Sequence, residues 1–124
     1  MLVSQLLNTG FPSLNITDKA TFALQLMDDY DVLHLPVLSE DKLVGLIAKD
    51  DLIDAAESDT HLSSEDFLQK IFVRQEEHFL TALKLISNHD LSLLPVVNDQ
   101  MELKGVVLAK ELIKAVSLFL GMED

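Results

Sequence analysis

The stretch His34-Leu35-Pro36-Val37-Leu38-Ser39-Glu40-Asp41-Lys42-Leu43-Val44-Gly45-Leu46-Ile47-Ala48-Lys49-Asp50-Asp51 decides the fold. Two apolar runs, Leu33–Leu38 and Leu43–Ala48, flank the polar residues Ser39 to Lys42, and this pattern predicts a β-hairpin. Asp50 and Asp51 then stand where acidic side chains complement the dipole of an opening helix. The pattern returns further along. Leu93-Leu94-Pro95-Val96-Val97 matches His34 to Leu38, and Leu103 to Glu111 matches Leu43 to Asp51. The offset is 59 residues between Pro36 and Pro95 and 60 between Gly45 and Gly105, so the second turn is one residue longer. Ala23, Met27 and Asp31 fall opposite Ala82, Ile86 and Asp90. The chain is a duplication.

Composition narrows what a duplicated chain of 124 residues can be. Its length suits one compact module, and a hydrophobic content of 48% argues against disorder. With no Cys there are no disulfides, thiolate metal sites or cysteine nucleophiles. Its apolar runs are too short for a bilayer, and Met1–Gly10 does not resemble a signal peptide, so a cytoplasmic protein is expected. A net charge of −12 with nine Lys and Arg disfavours nucleic acid and anionic membranes, both of which are recognised through phosphate neutralisation. Most of the acidity reads as solubility.

Outward from the hairpins, Leu2, Val3, Leu6 and Leu7 predict a short N-terminal helix within residues 1–10. The first repeat, 11–57, should hold a strand over Ser13–Ile16, a helix over 18–29 capped by Thr17 or Asp18, the hairpin, and a helix over 49–57. Residues 58–70 read as a linker, with a helical turn over Glu65–Lys70 docked by Phe67 and Leu68. The second repeat, 71–124, should hold a strand at Ile71–Val73, a helix over Glu76–Asn88, the hairpin at 92–97 and 103–108, and a last helix over 109–120. That helix is more apolar than one buried face needs. The surplus is explained equally by burial within the chain and by a partner surface.

Each unit reads strand–helix–strand–strand–helix, with Leu-Pro-Val on its middle strand and Gly-apolar-apolar leading into its last helix. Over roughly residues 10–120 this resembles the cystathionine-β-synthase (CBS) domain in tandem, the Bateman module. The resemblance implies a mixed α/β (α+β) fold of two β-α-β-β-α repeats packed about a pseudo-twofold axis. It implies two clefts between the repeats, which in this family often bind AMP, ATP or S-adenosylmethionine and regulate rather than catalyse. No cofactor is required on this reading. A homodimer is expected, formed through the last helix with Leu112, Ile113, Val116, Phe119 and Leu120, and a regulated partner protein would receive the output.

By the family pattern, an Asp six residues after the Gly binds ribose hydroxyls, and Asp51 holds that place in the first repeat. The family's hydroxyl, three residues after the Gly, is replaced by Ala48 and Leu108, and the second ribose position by Glu111. Ile16, Leu35, Pro36 and Ile47 are assigned to the apolar walls of the first cleft, beside His34, Ala48, Lys49 and Asp51. The second cleft would take Val73, Arg74, Leu94, Pro95, Leu108, Lys110 and Glu111, and is expected to be degenerate.

These residues also have plainer readings. Asp51 and Glu111 are equally well explained as first-turn helix acids; Lys49 and Lys110 read rather as surface charges, Arg74 as a salt-bridge partner, and His34 as a packed or edge strand histidine. The four histidines show no metal-ligand spacing, and no phosphate loop or nucleophile elbow suggests an enzyme. Two functions remain: an adenosine-nucleotide sensor using the first cleft, and a ligand-free dimerisation or protein-interaction module. The negative charge favours AMP or adenosine over a triphosphate.

Overall fold

The structure is a computed structural model that describes residues 1–57, 62 and 68–119. The first repeat runs β1 (Leu14–Asn15), α1 (Ala20–Tyr30), β2 (His34–Ser39), β3 (Lys42–Ala48) and α2 (Lys49–Glu57). The second runs β4 (Val73–Arg74), α3 (Phe79–His89), β5 (Leu93–Val97), β6 (Leu103–Leu108) and α4 (Ala109–Phe119). Each repeat forms one three-stranded sheet, ordered β1-β2-β3 and β4-β5-β6. In both, the first pair is parallel and the hairpin antiparallel, with a register shift at Val37/Leu38 and its counterpart Val96/Val97. The duplication in sequence is a duplication in topology.

The apolar middles of the hairpins and one stripe of each helix make a single core. Leu35, Val37, Leu46, Ile47, Leu93, Leu94, Val96 and Val107 are wholly buried in it, with Ala23, Met27, Ala82 and Leu112 from the helices. Asp31 and Asp90 end α1 and α3 in the left-handed conformation, each with φ of 53°. The amides of Val32 and Leu91 reach back to the carbonyls of Met27 and Ile86, both at 3.0 Å. This closes each helix at an equivalent residue and aims the chain into the hairpin.

Two segments cross between the repeats. Asn8 pairs with Val106 at the free edge of β6, and Gln69 pairs with Leu46 at the free edge of β3. The lead-in of each repeat thus extends the other repeat's sheet. The N-terminal helix expected over residues 1–7 is a 3-10 turn, Val3–Leu6, held between extended residues: Leu2 pairs with His78, and the amide of Val3 donates to the carbonyl of Glu77. Tertiary pairing overrides the amphipathic pattern there. Leu68–Lys70, expected as a helical turn, instead carries the extended pairing at Gln69; the remainder of that expectation, with Phe67, lies outside the described residues.

Three starts also shift. Helix α1 begins at Ala20, because the Asp18 carboxylate accepts from the Asn15 amide at 2.8 Å and closes the preceding turn instead. Helix α3 begins at Phe79: Glu77 accepts from the Arg74 amide at 2.7 Å, and His78 caps the helix by accepting from Leu80. The strand expected at 71–73 is β4, Val73–Arg74.

Candidate functional site

The site is best built from the corners where a strand turns into a helix. In both repeats the hairpin's last strand runs straight into the next helix, β3 into α2 and β6 into α4. The amide of Lys49 donates to the carbonyl of Leu33 at 2.9 Å, and that of Ala109 to Ser92 at 3.0 Å, so each corner is clamped to the start of its own β2 or β5. A helix N-terminus opens beside each clamp. The electrostatics differ. Helix α2 opens with Asp50 and Asp51, whereas α4 opens with Glu111 alone, whose carboxylate lies 3.5 Å from the Asn8 side-chain amide.

At the second corner lies a cavity of about 210 Å³ lined by Phe11, Tyr30, Asp31, Val32, Ser92, Leu108, Ala109 and Lys110. Half of these residues come from the first repeat and half from the second. The rings of Phe11 and Tyr30 stand 5.5 Å apart at a 52° tilt on one wall, and Lys110 is exposed on the other. Such a pocket offers aromatic surface, a carboxylate, a hydroxyl and a cation, the groups that a base, a ribose and a phosphate each need.

Several expected site residues lie elsewhere. Leu35, Ile47, Val73 and Leu94 expose 1% of their surface or less and are part of the core. Pro36 and Pro95 are buried as well. Asn15, the residue before Ile16, pairs with Leu38, while Ala48 pairs with His34, which sets the two ends of β2 about 13 Å apart at roughly 3.3 Å per residue. Arg74 is separated from Leu108 in the same way, Arg74 pairing with Val97 and Leu108 with Leu93. Its guanidinium lies over the Phe72 ring at 5.8 Å and its Nε 3.4 Å from the Asp99 carboxylate, which is the surface ion pair of the plainer reading. Ala48 and Lys49 are half-buried at the first corner and Asp51 is exposed there. Lys110 and Leu108 do share a cavity. Of the expected dimer residues, Leu112 is fully buried in the chain's own core and belongs to no surface; Ile113 is 56% exposed and Val116 half-buried. The Phe119 side chain and Leu120 lie outside the described residues.

Phe11, Tyr30, Asp31, Val32, Ser92 and Ala109, which line this cavity, were not among the cleft residues expected from the sequence. Their signal was the duplication: clefts between two repeats must take walls from both, yet each expected lining was drawn from within one repeat.

His34 joins the repeats. It is 8% exposed, and its Nδ1 accepts from the Ser92 amide at 3.1 Å and lies 2.8 Å from the Ser92 hydroxyl, which in turn accepts from the Leu33 amide at 3.1 Å. Burial pushes the imidazole below its ordinary value, while Asp90, Asp50 and Asp51 pull it back up. An unprotonated Nδ1 is what the Ser92 amide requires.

A family model described as "CBS domain" matches residues 3–58 and 64–118. The chain is 28% identical over 120 residues to homoserine O-acetyltransferase of Methanobrevibacter ruminantium, covering 95% of this chain and 24% of that protein. It is 32% identical over 98 residues to inosine-5'-monophosphate dehydrogenase of Methanocaldococcus jannaschii, covering 74% of this chain and 19% of that one. The chain therefore spans about a quarter or less of these relatives' length. Among solved structures, a CBS domain pair/ACT domain protein from Thermotoga maritima superposes with a TM-score of 0.86 at 27% identity, covering 97% of this chain and 99% of that one. A CBS domain pair in complex with 5′-methylthioadenosine and S-adenosyl-L-methionine shares the fold at a TM-score of 0.75 and 24% identity, covering 99% and 98%. So does CBSX2 in complex with AMP, at 0.79 and 20%, covering 95% and 97%.

Proposed function

The chain belongs to the CBS domain family, and from that membership we propose that it is a non-catalytic regulatory module that binds an adenosine-containing ligand between its repeats. The observation that carries this reading is the cavity shared by the two repeats at the start of α4, with an aromatic pair, Asp31, Ser92 and Lys110 on its walls. Structures of the same fold in complex with AMP or with S-adenosyl-L-methionine support the ligand class.

The second corner is the better place for a phosphate. A phosphate at α2 meets Asp50 and Asp51 beside Lys49, while one at α4 meets Lys110 and a single carboxylate, Glu111, already turned towards Asn8. Asp31 is the carboxylate for the ribose. At about 210 Å³ the cavity is below the usual size of a small-molecule site, so binding would widen it by moving the repeats apart. That movement is the output, since a ligand shifts a conformational equilibrium only by its differential affinity for the two states.

Calorimetric titration with AMP, then with S-adenosylmethionine, tests the proposal. Saturable binding at one site per chain is expected, weakened about tenfold by Lys110→Gln and by Asp31→Ala, and unchanged in Asp51→Ala. Loss of binding in Asp51→Ala alone would move the ligand to the first corner. No heat from either compound would remove the sensor reading.

A second reading, a homodimeric interaction module, is favoured by Leu80, Ile113 and Leu118, which are 54%, 56% and 53% exposed on α3 and α4. Apolar side chains this open fit a surface covered by another copy. Ile113→Glu should then convert a dimer to a monomer in analytical ultracentrifugation. A native protein that already sediments as a monomer would exclude this reading. Among the described residues no helix is long and apolar enough to cross a membrane.

A further inference from the structure

A larger cavity, of about 450 Å³, lies at the opposite end of the hairpins from the helix corners. Its lining comes from three places: Leu43, Val44 and Gly45 of β3, Met101 in the second repeat's hairpin turn, and Leu68, Lys70 and Phe72 of the crossing segment. None of the cleft residues of either repeat takes part. We infer that this cavity is a binding site for a small amphipathic carboxylate, an aromatic or branched apolar body carrying one negative charge.

The walls are fixed by backbone pairing on two sides. Leu46 and Gln69 exchange two amide–carbonyl bonds of 2.8 Å, and the Leu43 amide donates to the Met101 carbonyl at 2.8 Å. The Lys42 ammonium donates to the Gln100 carbonyl at 2.9 Å, tying the tips of the two hairpins together. The cavity is therefore pre-formed, and its volume falls in the range of about 300–1,000 Å³ common to small-molecule sites. Gly45 contributes bare backbone to one wall, and Leu43, Val44, Leu68, Phe72 and Met101 supply apolar surface.

Charge sets the ligand class. Among the described residues Lys70 is the one ionisable residue of the lining, it is exposed, and no carboxylate lies within ion-pair distance of it. Arg74, over the Phe72 ring at 5.8 Å, adds positive potential nearby, although its Nε is shared with Asp99. Among the described residues the lining holds no carboxylate. A carboxylate ligand therefore finds a partner, whereas the ammonium of a free amino acid or amine does not. Because the walls come from both repeats and from the segment that joins them, an occupant would bear on the relative position of the repeats.

The test is ligand-observed fluorine NMR of the full chain with 4-fluorophenylacetate, with 4-fluorophenylacetamide as the uncharged counterpart. Saturable broadening is expected with the acid, and affinity about tenfold weaker for the amide and in Lys70→Gln, an exposed substitution that leaves the fold intact. Val44→Phe, which fills the cavity from a half-buried position, should abolish binding while the circular dichroism spectrum stays native. Lys110→Gln should leave the acid's affinity unchanged, so this result is independent of AMP binding at the other end. No saturation at millimolar acid would overturn the inference. So would equal affinity for acid and amide, or binding that Lys70→Gln leaves untouched.

Discussion

Gly105→Ala should lower stability by about 2–3 kcal/mol, read as a fall in the urea midpoint at an unchanged m-value. A Cβ built at this position lies 2.6 Å from the carbonyl oxygen of Asn8 and 2.8 Å from Leu7 Cδ1. A flexible side-chain tip would move aside, but a carbonyl cannot. The Asn8 carbonyl accepts from Val106 at 2.9 Å and the Asn8 amide donates to Val106 at 2.8 Å, so the methyl group can enter only if the crossing segment leaves the edge of β6. The loss should therefore be local before it is global. Amide exchange at Asn8 and Val106 should accelerate well ahead of the core, while Leu46 and Gln69 stay protected. Gly45→Ala should give the mirror result, with its Cβ 2.8 Å from Leu68 Cβ and 3.3 Å from the Gln69 carbonyl oxygen. A loss below about 0.5 kcal/mol at Gly105, with exchange unchanged, would show that the two crossings do not hold the repeats together.

His34→Ala should cost about 1–3 kcal/mol, because the Ser92 amide is left part-buried without its acceptor. The native joint should also be sensitive to acid. The folded-state pKa is lowered by burial, so between that value and the unfolded value near 6.5 the unfolded chain binds the extra proton. The contribution is thus complete above about pH 6.5 and is lost as the pH falls below it. Protonation would place hydrogen on Nδ1 and set it against the Ser92 amide. Asp90, Asp50 and Asp51 shallow the loss by favouring the imidazolium. His34→Gln, which keeps an acceptor without a titrating ring, should flatten the stability profile between pH 7.5 and 5.5. A native profile already flat across that range would show that the folded chain protonates this ring as readily as the unfolded one, so that the contact with Ser92 does not hold it neutral.

These two residues mark where the sequence stopped being readable. The glycines recur sixty residues apart, Gly45 and Gly105, and that recurrence was visible. What crowds them was not, since Leu68 and Asn8 lie on segments that arrive from the opposite repeat. His34 is flanked by strand residues in a way that suits both a packed histidine and a ligand; only its contact with Ser92 chooses.

By itself the sequence determined the hairpins, the four helices, the pairing of Asp31 with Asp90 and the duplication that joins them. Those follow from side-chain periodicity and turn chemistry, which act over a few residues and leave a local record. The tertiary structure alone decided which backbone covers each free sheet edge, which walls face each other across a cavity, and that Leu35, Ile47 and Leu112 are core. All three depend on how one repeat docks on the other. Docking is fixed by close approach at Gly45 and Gly105 between residues that are remote in the chain, and such contacts leave no period in the sequence to read.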